Sequence, residues 1–216
     1  MFTGIILESA PILQFSEQDN GLWRLRVESA RTESSTWPLG SSVCLDGVCL
    51  TLVASNRRGA GCELDFELSR ETLSRSTFGI SKRVGSLVHL EPSLTPQSLM
   101  GGHFVSGHVD AVGVCESVDR DPAAWTVRFS IGGESRERVA PFLVEKGCIA
   151  VDGVSLTVNE VADLGQRTEF SCVLIPHTLN VTKFGTLQPK VEVNLEADLV
   201  AKYVARYQRF PFASST

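Results

Sequence analysis

The sequence predicts an all-β chain: two tandem six-stranded antiparallel barrels related by internal duplication, followed by a C-terminal α-helix. Three observations carry this. The chain repeats itself at an offset of 106 residues. Each copy is a series of short runs rich in Val, Leu, Phe and Thr, divided by Gly, Asp, Asn and Ser. The last stretch then changes to helical spacing.

The repeat comes first. Asp46-Gly47-Val48-Cys49-Leu50-Thr51 aligns with Asp152-Gly153-Val154-Ser155-Leu156-Thr157, and the same shift aligns Thr72-Leu73 with Thr178-Leu179 and Phe78-Gly79 with Phe184-Gly185. Over 46–79 against 152–185, 12 of 34 residues are identical. Composition alone gives roughly 2. Trp23-Arg24-Leu25-Arg26-Val27 matches Trp125-Thr126-Val127-Arg128-Phe129, and Val88-His89-Leu90-Glu91 matches Val193-Asn194-Leu195-Glu196. The expected division is 1–97, 98–196, and a helix and tail over 197–216.

In order along copy one, the expected strands are 2–12, 21–29, 42–46, 48–54, 62–68 and 87–91. Asp46-Gly47 and Asp152-Gly153 each sit between apolar runs and predict tight hairpin turns. Six short antiparallel strands suggest a closed barrel, which removes exposed edges. Arg70-Glu71-Thr72-Leu73 predicts a short helical turn, and Ser135 to Val144 another. Glu91-Pro92-Ser93-Leu94-Thr95-Pro96 predicts the linker. Copy two restarts in Gly101 to Asp110, where Val105-Ser106-Gly107-His108-Val109 repeats Phe2-Thr3-Gly4-Ile5-Ile6. Alternation over 103–109 predicts a strand. Side chains five apart on a strand point to opposite faces, so His103 and His108 are not expected to meet at one metal. From Glu196 to Gln208, apolar residues at 199, 200, 203, 204 and 207 predict a helix that packs on its own barrel or forms an oligomer contact. Phe210 to Thr216 is expected to fray.

Composition removes several classes. A net charge of −5 and a pI near 5.4, with no basic cluster, argue against nucleic acid. No run of about 20 apolar residues predicts a membrane span. The first residues lack a charged and then apolar leader, and no glycine stands at position 2, so neither a signal peptide nor myristoylation is expected. The six cysteines, 44, 49, 62, 115, 148 and 172, form no Cys-x-x-Cys pair and no zinc-finger spacing. They are expected to be reduced thiols in a cytoplasmic protein without a metal.

Five stretches taken together resemble one family. Met1-Phe2-Thr3-Gly4-Ile5-Ile6, Asp46 to Leu52, Gly101 to Asp110, Lys146 to Val158, and Ile175-Pro176-His177-Thr178-Leu179 are similar to riboflavin synthases in order and spacing. The resemblance implies Greek-key barrels and a helix that joins three chains into a homotrimer. It implies the last step of riboflavin synthesis. Two molecules of 6,7-dimethyl-8-ribityllumazine react by four-carbon transfer to give riboflavin and 5-amino-6-(D-ribitylamino)uracil, with no cofactor. It places the site between the N-half of one subunit and the C-half of another, with two lumazines per site. It also raises a lumazine synthase capsid as a partner. A reaction between two copies of one substrate suits a chain with two copies of one domain, since holding both in register supplies rate through proximity.

The resemblance carries site roles onto particular residues. Cys49 and Ser155 share one repeat position, and the family places them in the two substrate pockets, where a thiol or hydroxyl adds to or polarises a lumazine ring. His108 stands where copy one has Ile5, and imidazole suits removal of a proton from the acidic C7 methyl of the donor. Ser42 and Asp198 complete the expected catalytic set, although an acid at the start of a helix is also favoured by the helix dipole. Substrate contacts are expected from Phe2, Thr3, Gly4, Ile5 and Ile6, and from Leu50 and Thr51. The segment Glu67, Leu68, Ser69, Arg70, Glu71 and Thr72 is a second expected group. Gly107, Val109, Lys146, Leu156 and Thr157 are a third, and Ile175, Pro176, His177, Thr178, Leu179 and Asn180 a fourth. Core packing competes for Phe2, and a structural role is expected for His103. Asp46, Ser106 and Ala111 depart from residues common in the family, and none of these removes an expected catalytic group. The alternative is a non-catalytic lumazine- or flavin-binding accessory protein, with one ligand per chain in place of two. A flavin-dependent oxidoreductase is disfavoured, because no Gly-x-Gly-x-x-Gly follows a strand.

Overall fold

Period-two burial closes each repeat into its own barrel. The computed structural model describes residues 1–209, so the expected fraying of Phe210 to Thr216 lies outside the described residues. The first barrel contains β1 (Glu8–Glu17), β2 (Trp23–Ser29), β3 (Ser42–Leu45), β4 (Val48–Arg58), β5 (Gly61–Leu68) and β6 (Leu87–Pro92). Helix α1 (Arg70–Arg75) sits between β5 and β6. The second contains β7 (Ala111–Arg120), β8 (Trp125–Gly132), β9 (Cys148–Val151), β10 (Val154–Leu164), β11 (Arg167–Leu174) and β12 (Glu192–Ala197). Helices α2 (Arg136–Val139) and α3 (Pro176–Val181) lie within it, and α4 (Leu199–Arg209) follows it. Both sheets are closed and antiparallel, in the orders β1-β2-β5-β4-β3-β6 and β10-β11-β8-β7-β12-β9. On β5, Cys62, Leu64, Phe66 and Leu68 alternate inward and lose all exposure. Each such large side chain contributes roughly 1.5–3 kcal/mol.

The structure departs from the sequence reading at the two restarts. β1 begins at Glu8, not at residue 2, and residues 103–109 form no strand. One isolated bridge, Phe2 to Val105, joins the two segments. The cause is a left-handed glycine in each, Gly4 at φ 75° and Gly107 at φ 80°, which turns the chain out of the pleat. Each segment leaves its own barrel and crosses to the other. Ile6 packs into the second core and Val109 against the first. Phe2, Cys44, Val105 and Ala150 fill the crossing point. The helical turn expected over 135–144 is reduced to α2, flanked by 3-10 turns.

The barrels meet through their Asp-Gly hairpins in a buried polar network. Both aspartates have positive φ, 47° at Asp46 and 45° at Asp152, as the tight turn requires. The repeat partners His89 and Asn194 reach across in the same way. Asn194 Nδ2 donates to the Asp46 carbonyl at 2.7 Å, and its Oδ1 accepts from the Thr77 amide at 2.8 Å. His89 Nδ1 lies 2.8 Å from the Asp152 carbonyl, and Nε2 accepts from the Lys183 amide at 3.0 Å. These partners fix the tautomer with the proton on Nδ1 and the ring neutral. Two cations balance the two aspartates. Lys82 Nζ is 2.6 Å from Asp46 Oδ2. Lys183 Nζ hydrogen-bonds Asp46 and lies 2.9 Å from Asp152 Oδ2, an ion pair without hydrogen-bond geometry. Burial opposes ionisation of Asp46, yet Lys183 and Lys82 hold its carboxyl well below the usual range.

Burial, with Lys183 second, pushes His89 down to about 3. Folding therefore binds the neutral imidazole, and stability is fully present above the ordinary histidine pKa near 6.5. It is lost as pH falls from there towards about 3, by up to ~1.4 kcal/mol per pH unit. His89→Asn, which copies the role of Asn194, is expected to fold and to lose this part of the slope. Urea unfolding of both proteins at pH 7 and pH 4 checks it; equal slopes would remove His89 as the source.

No helix among the described residues is long and apolar enough to cross a membrane.

Candidate functional site

The crossing segments create two equivalent sites, each built by both repeats. At the first, the Cys49 amide donates to the Gly107 carbonyl at 2.8 Å. At the second, the Ser155 amide donates to the Gly4 carbonyl at 2.8 Å. A Cβ on Gly107 would stand 2.6 Å from Cys49 Cβ, and one on Gly4 would stand 2.6 Å from Ser155 Cβ. Only glycine permits both the backbone angle and the approach.

Around Cys49 is a cleft of about 220 Å³, lined by Val48, Cys49, Glu71, Thr72, Arg75, Ser76, Gly107, His108 and Val109. Cys49 is half-buried and His108 exposed to the cleft. α1 forms one wall. Ser69 caps it by accepting from the Thr72 amide at 3.1 Å, which turns Thr72 and Glu71 toward the thiol. Ser42 pairs with Thr51 across the hairpin, on the Cys49 face and further along it.

Around Ser155 the chemistry differs. Ser155 Oγ lies 2.7 Å from His103 Nδ1. His103 is almost wholly buried, and burial lowers its pKa against the pull of Asp198. Its Nε2 has no partner among the described residues. A buried ring nitrogen left open beside a hydroxyl is a place for a ligand polar atom. A hydroxyl beside a neutral imidazole has the chemistry of a nucleophile and its base, with the Asp198 carboxylate acting on the ring from a distance. Asp198 stands just before α4, and its Oδ1 accepts from the Val200 amide at 2.9 Å. Cys148 is nearby, its thiol pushed up by burial and then by Asp198.

His103 and His108 thus stand at different pockets. The expectation that they would not meet at one metal rested on strand alternation, whereas the chain here turns at Gly107, and His103, expected to be structural, lies against Ser155. Other expected contacts are spread more widely. Phe2 is fully buried at the crossing point in this protomer. Leu50, Leu68 and Leu156 are buried in the barrel walls, Ile6 in the second core. Thr51 and Thr157 are exposed on their hairpins. Glu67 pairs with Arg24 at 2.8 Å. Lys146 Nζ donates to Asn159 Oδ1 at 2.9 Å. Ile175, Pro176 and His177 are exposed at the start of α3, with Thr178 half-buried behind them. Leu179 and Asn180 line a separate cleft with Lys183. Arg70 turns away from Cys49 into a larger hollow of about 730 Å³ with Phe15, Trp23 and Phe78. That hollow holds no thiol, histidine or carboxylate, and it lies on the far side of α1 from the reactive groups.

Two residues carry more than the sequence suggested. Glu91 accepts from the Thr3 amide at 2.7 Å, Thr3 Oγ1 at 2.8 Å and the Gly4 amide at 3.0 Å. Glu196 accepts from the Ser106 amide and Oγ at 2.6 and 2.7 Å, and from the Gly107 and His108 amides at 2.9 and 3.1 Å. The signal was present: one glutamate recurs at matching repeat positions beside apolar strand residues. Among the described residues no cluster of three or more His, Cys, Asp or Glu is placed to hold a metal ion.

Comparison with known proteins finds the same doubled domain. The lumazine binding domain family matches twice, over residues 3–93 and 106–198. A riboflavin synthase of Brucella abortus is 38% identical over 211 residues, covering 97% of this chain and 99% of the relative. One from Mycobacterium bovis is 39% identical, covering 97% and 98%. One from Photobacterium phosphoreum is 34% identical, covering 95% and 88%. Among solved structures, LumP complexed with 6,7-dimethyl-8-(1'-D-ribityl) lumazine superposes with a TM-score of 0.73 at 21% identity, over 91% of this chain and 99% of that one. This last likeness is one of fold.

Proposed function

The chain belongs to the riboflavin synthase family, and from that premise we propose how its two pockets share the work. The enzyme is a transferase: two 6,7-dimethyl-8-ribityllumazine molecules give riboflavin and 5-amino-6-(D-ribitylamino)uracil by transfer of a four-carbon unit. The observation that carries the division of labour is the unlike chemistry at like positions. One pocket offers Cys49 and His108, the other Ser155 with His103. Unlike groups suit unlike roles, one molecule giving and one receiving the four carbons.

In this reading the Ser155 hydroxyl adds to or polarises a lumazine ring as His103 takes its proton, with Asp198 stabilising the imidazolium. In the other pocket His108 removes the C7-methyl proton and Cys49 contacts the ring. Thr72 and Thr178, with the arm backbones at Gly4 and Gly107, line the two ligands. Ser42, Thr51 and Lys146 stand at the outer rims. The repeat division at 97/98 separates the two folding units, with the arms exempt.

A cleft of about 220 Å³ is small, since small-molecule sites usually span roughly 300–1,000 Å³. A neighbouring subunit that closes it would supply the rest. α4 supports a homotrimer: none of its residues is buried, and Val200, Tyr203 and Val204 present apolar surface. Truncation after Ala197 is expected to give monomers by sedimentation with both barrels folded; a trimer surviving it would remove α4 from assembly. Six free thiols suit a reducing cytoplasm. Association with a lumazine synthase capsid belongs to the same reading.

The deciding experiment is incubation with 6,7-dimethyl-8-ribityllumazine alone. One riboflavin per two lumazines consumed is expected. Tight binding with no turnover would favour a lumazine-binding accessory protein.

A further inference from the structure

We propose that Glu91 and Glu196 are positioning residues for the reaction, each fixing the arm that its own repeat extends into the pocket of the other. Glu196 sets His108 at the Cys49 pocket, and Glu91 sets Thr3 to Ile5 at the Ser155 pocket. The inference rests on the reading that both pockets bind ligand.

A carboxylate inside a sheet is costly unless its charge is met. Glu91 and Glu196 are only 5% and 2% exposed. Neither forms an ion pair with a Lys or Arg among the described residues. Their charge is met at hydrogen-bond distance by the arms: three donors of Thr3 and Gly4 on Glu91, and four donors of Ser106, Gly107 and His108 on Glu196, with Lys202 attracting Glu196 from further off. Converging amides around one anion fix backbone torsions rather than side-chain packing. The far side of each arm is pinned by the foreign hairpin, through the Gly107 carbonyl to Cys49 and the Gly4 carbonyl to Ser155. An arm held at both edges presents its next side chain at a set angle. In one arm that side chain is His108, in the other Ile5. The same clamp therefore places a proton acceptor in one pocket and an apolar wall in its counterpart.

The amide of a glutamine tests this, because its Nε2 would face amide donors and leave them unpaired. Threonine-methyl-labelled protein, in its native assembly, is titrated with riboflavin and followed by NMR. Thr72 reports the Cys49 pocket, and Thr178, its repeat partner, the other. Glu196→Gln is expected to weaken the affinity read at Thr72 by about tenfold or more and to leave Thr178 within about twofold. Glu91→Gln is expected to give the mirror pattern. Turnover should fall in both, because both pockets must fill, and kcat for Glu196→Gln should fall further than KM rises. If Glu196→Gln fails to fold, Ser106→Ala removes one of the four donors and should shift Thr72 alone, by less and in the same direction. Equal loss at both methyls, or no loss at either, would overturn the assignment. A wild-type titration with only one responsive methyl would overturn the two-pocket reading, and this inference with it.

Discussion

Lys183→Met is expected to lower stability by about 3–5 kcal/mol, the scale of stripping one partner from a buried ion pair. Lys183 Nζ joins Asp46, from the first barrel's hairpin, to Asp152, from the second's. Both aspartates are buried completely, or nearly so. Lys82 would still balance Asp46. Asp152 would keep one hydrogen bond, from the Asn194 amide at 2.7 Å, and the longer-range attraction of Lys82. Burial already raises the Asp152 pKa. Without Lys183 it would rise further, and the carboxyl would take up a proton more readily in the folded state than in the unfolded chain. A raised carboxylate pKa favours folding at low pH and opposes it above the folded pKa. The deficit should therefore be largest near pH 7 and shrink as the solution is acidified. Guanidinium unfolding at pH 7 and pH 5 reads this directly. A midpoint equal to wild type at pH 7 would mean that the barrels are held together without this cation.

His103→Ala is expected to reduce kcat by roughly 10²–10⁴-fold, the usual contribution of a placed general base. KM should change far less, because the arm and hairpin backbones that shape the pocket remain in place. The geometric case is the 2.7 Å separation of Nδ1 and Ser155 Oγ, together with the unpartnered Nε2. The electrostatic case is burial, which keeps the imidazole neutral and ready to accept. In wild type, kcat should rise with pH through an ionisation below the ordinary histidine value. That limb should vanish in His103→Ala and survive in His108→Ala. Steady-state rates from pH 5 to pH 8 decide it, with circular dichroism as the folding control. Turnover within about threefold of wild type would leave His103 a packing residue. The number is a difference between two proteins rather than a share of catalysis.

The barrels were legible because their signals are local. Alternation, the Asp-Gly turns and a 106-residue offset need only neighbouring residues to be read, and strands β2 to β6 fall close to where they are expected. The arms were not. Phe2 to Leu7 has the composition of a strand, and only tertiary pairing decides that it serves the other barrel. The same limit explains the site. Cys49 and Ser155 stood out as a divergence between matched hexapeptides. His103 did not, because its partner Ser155 is 52 positions away and the sequence gives no distance between them. Phe2 is a different case: the sequence left ligand contact and core packing side by side, and the fold packs its ring with Cys44, Val105 and Ala150.

The crossing arms bear on the history and assembly of the chain. An isolated first repeat would carry an arm with no hairpin to receive it and a hairpin with no arm to fill it. Two such copies could satisfy each other reciprocally, which is the arrangement of a domain-swapped homodimer. The present chain is that dimer written on one polypeptide. Its linker holds the halves at the millimolar effective concentration typical of short tethers, so the pairing is first-order and does not fail on dilution. Tethering also frees the two copies to differ. A symmetric dimer must place the same residue in both pockets, whereas a fused one can keep a thiol at one and a hydroxyl at the other.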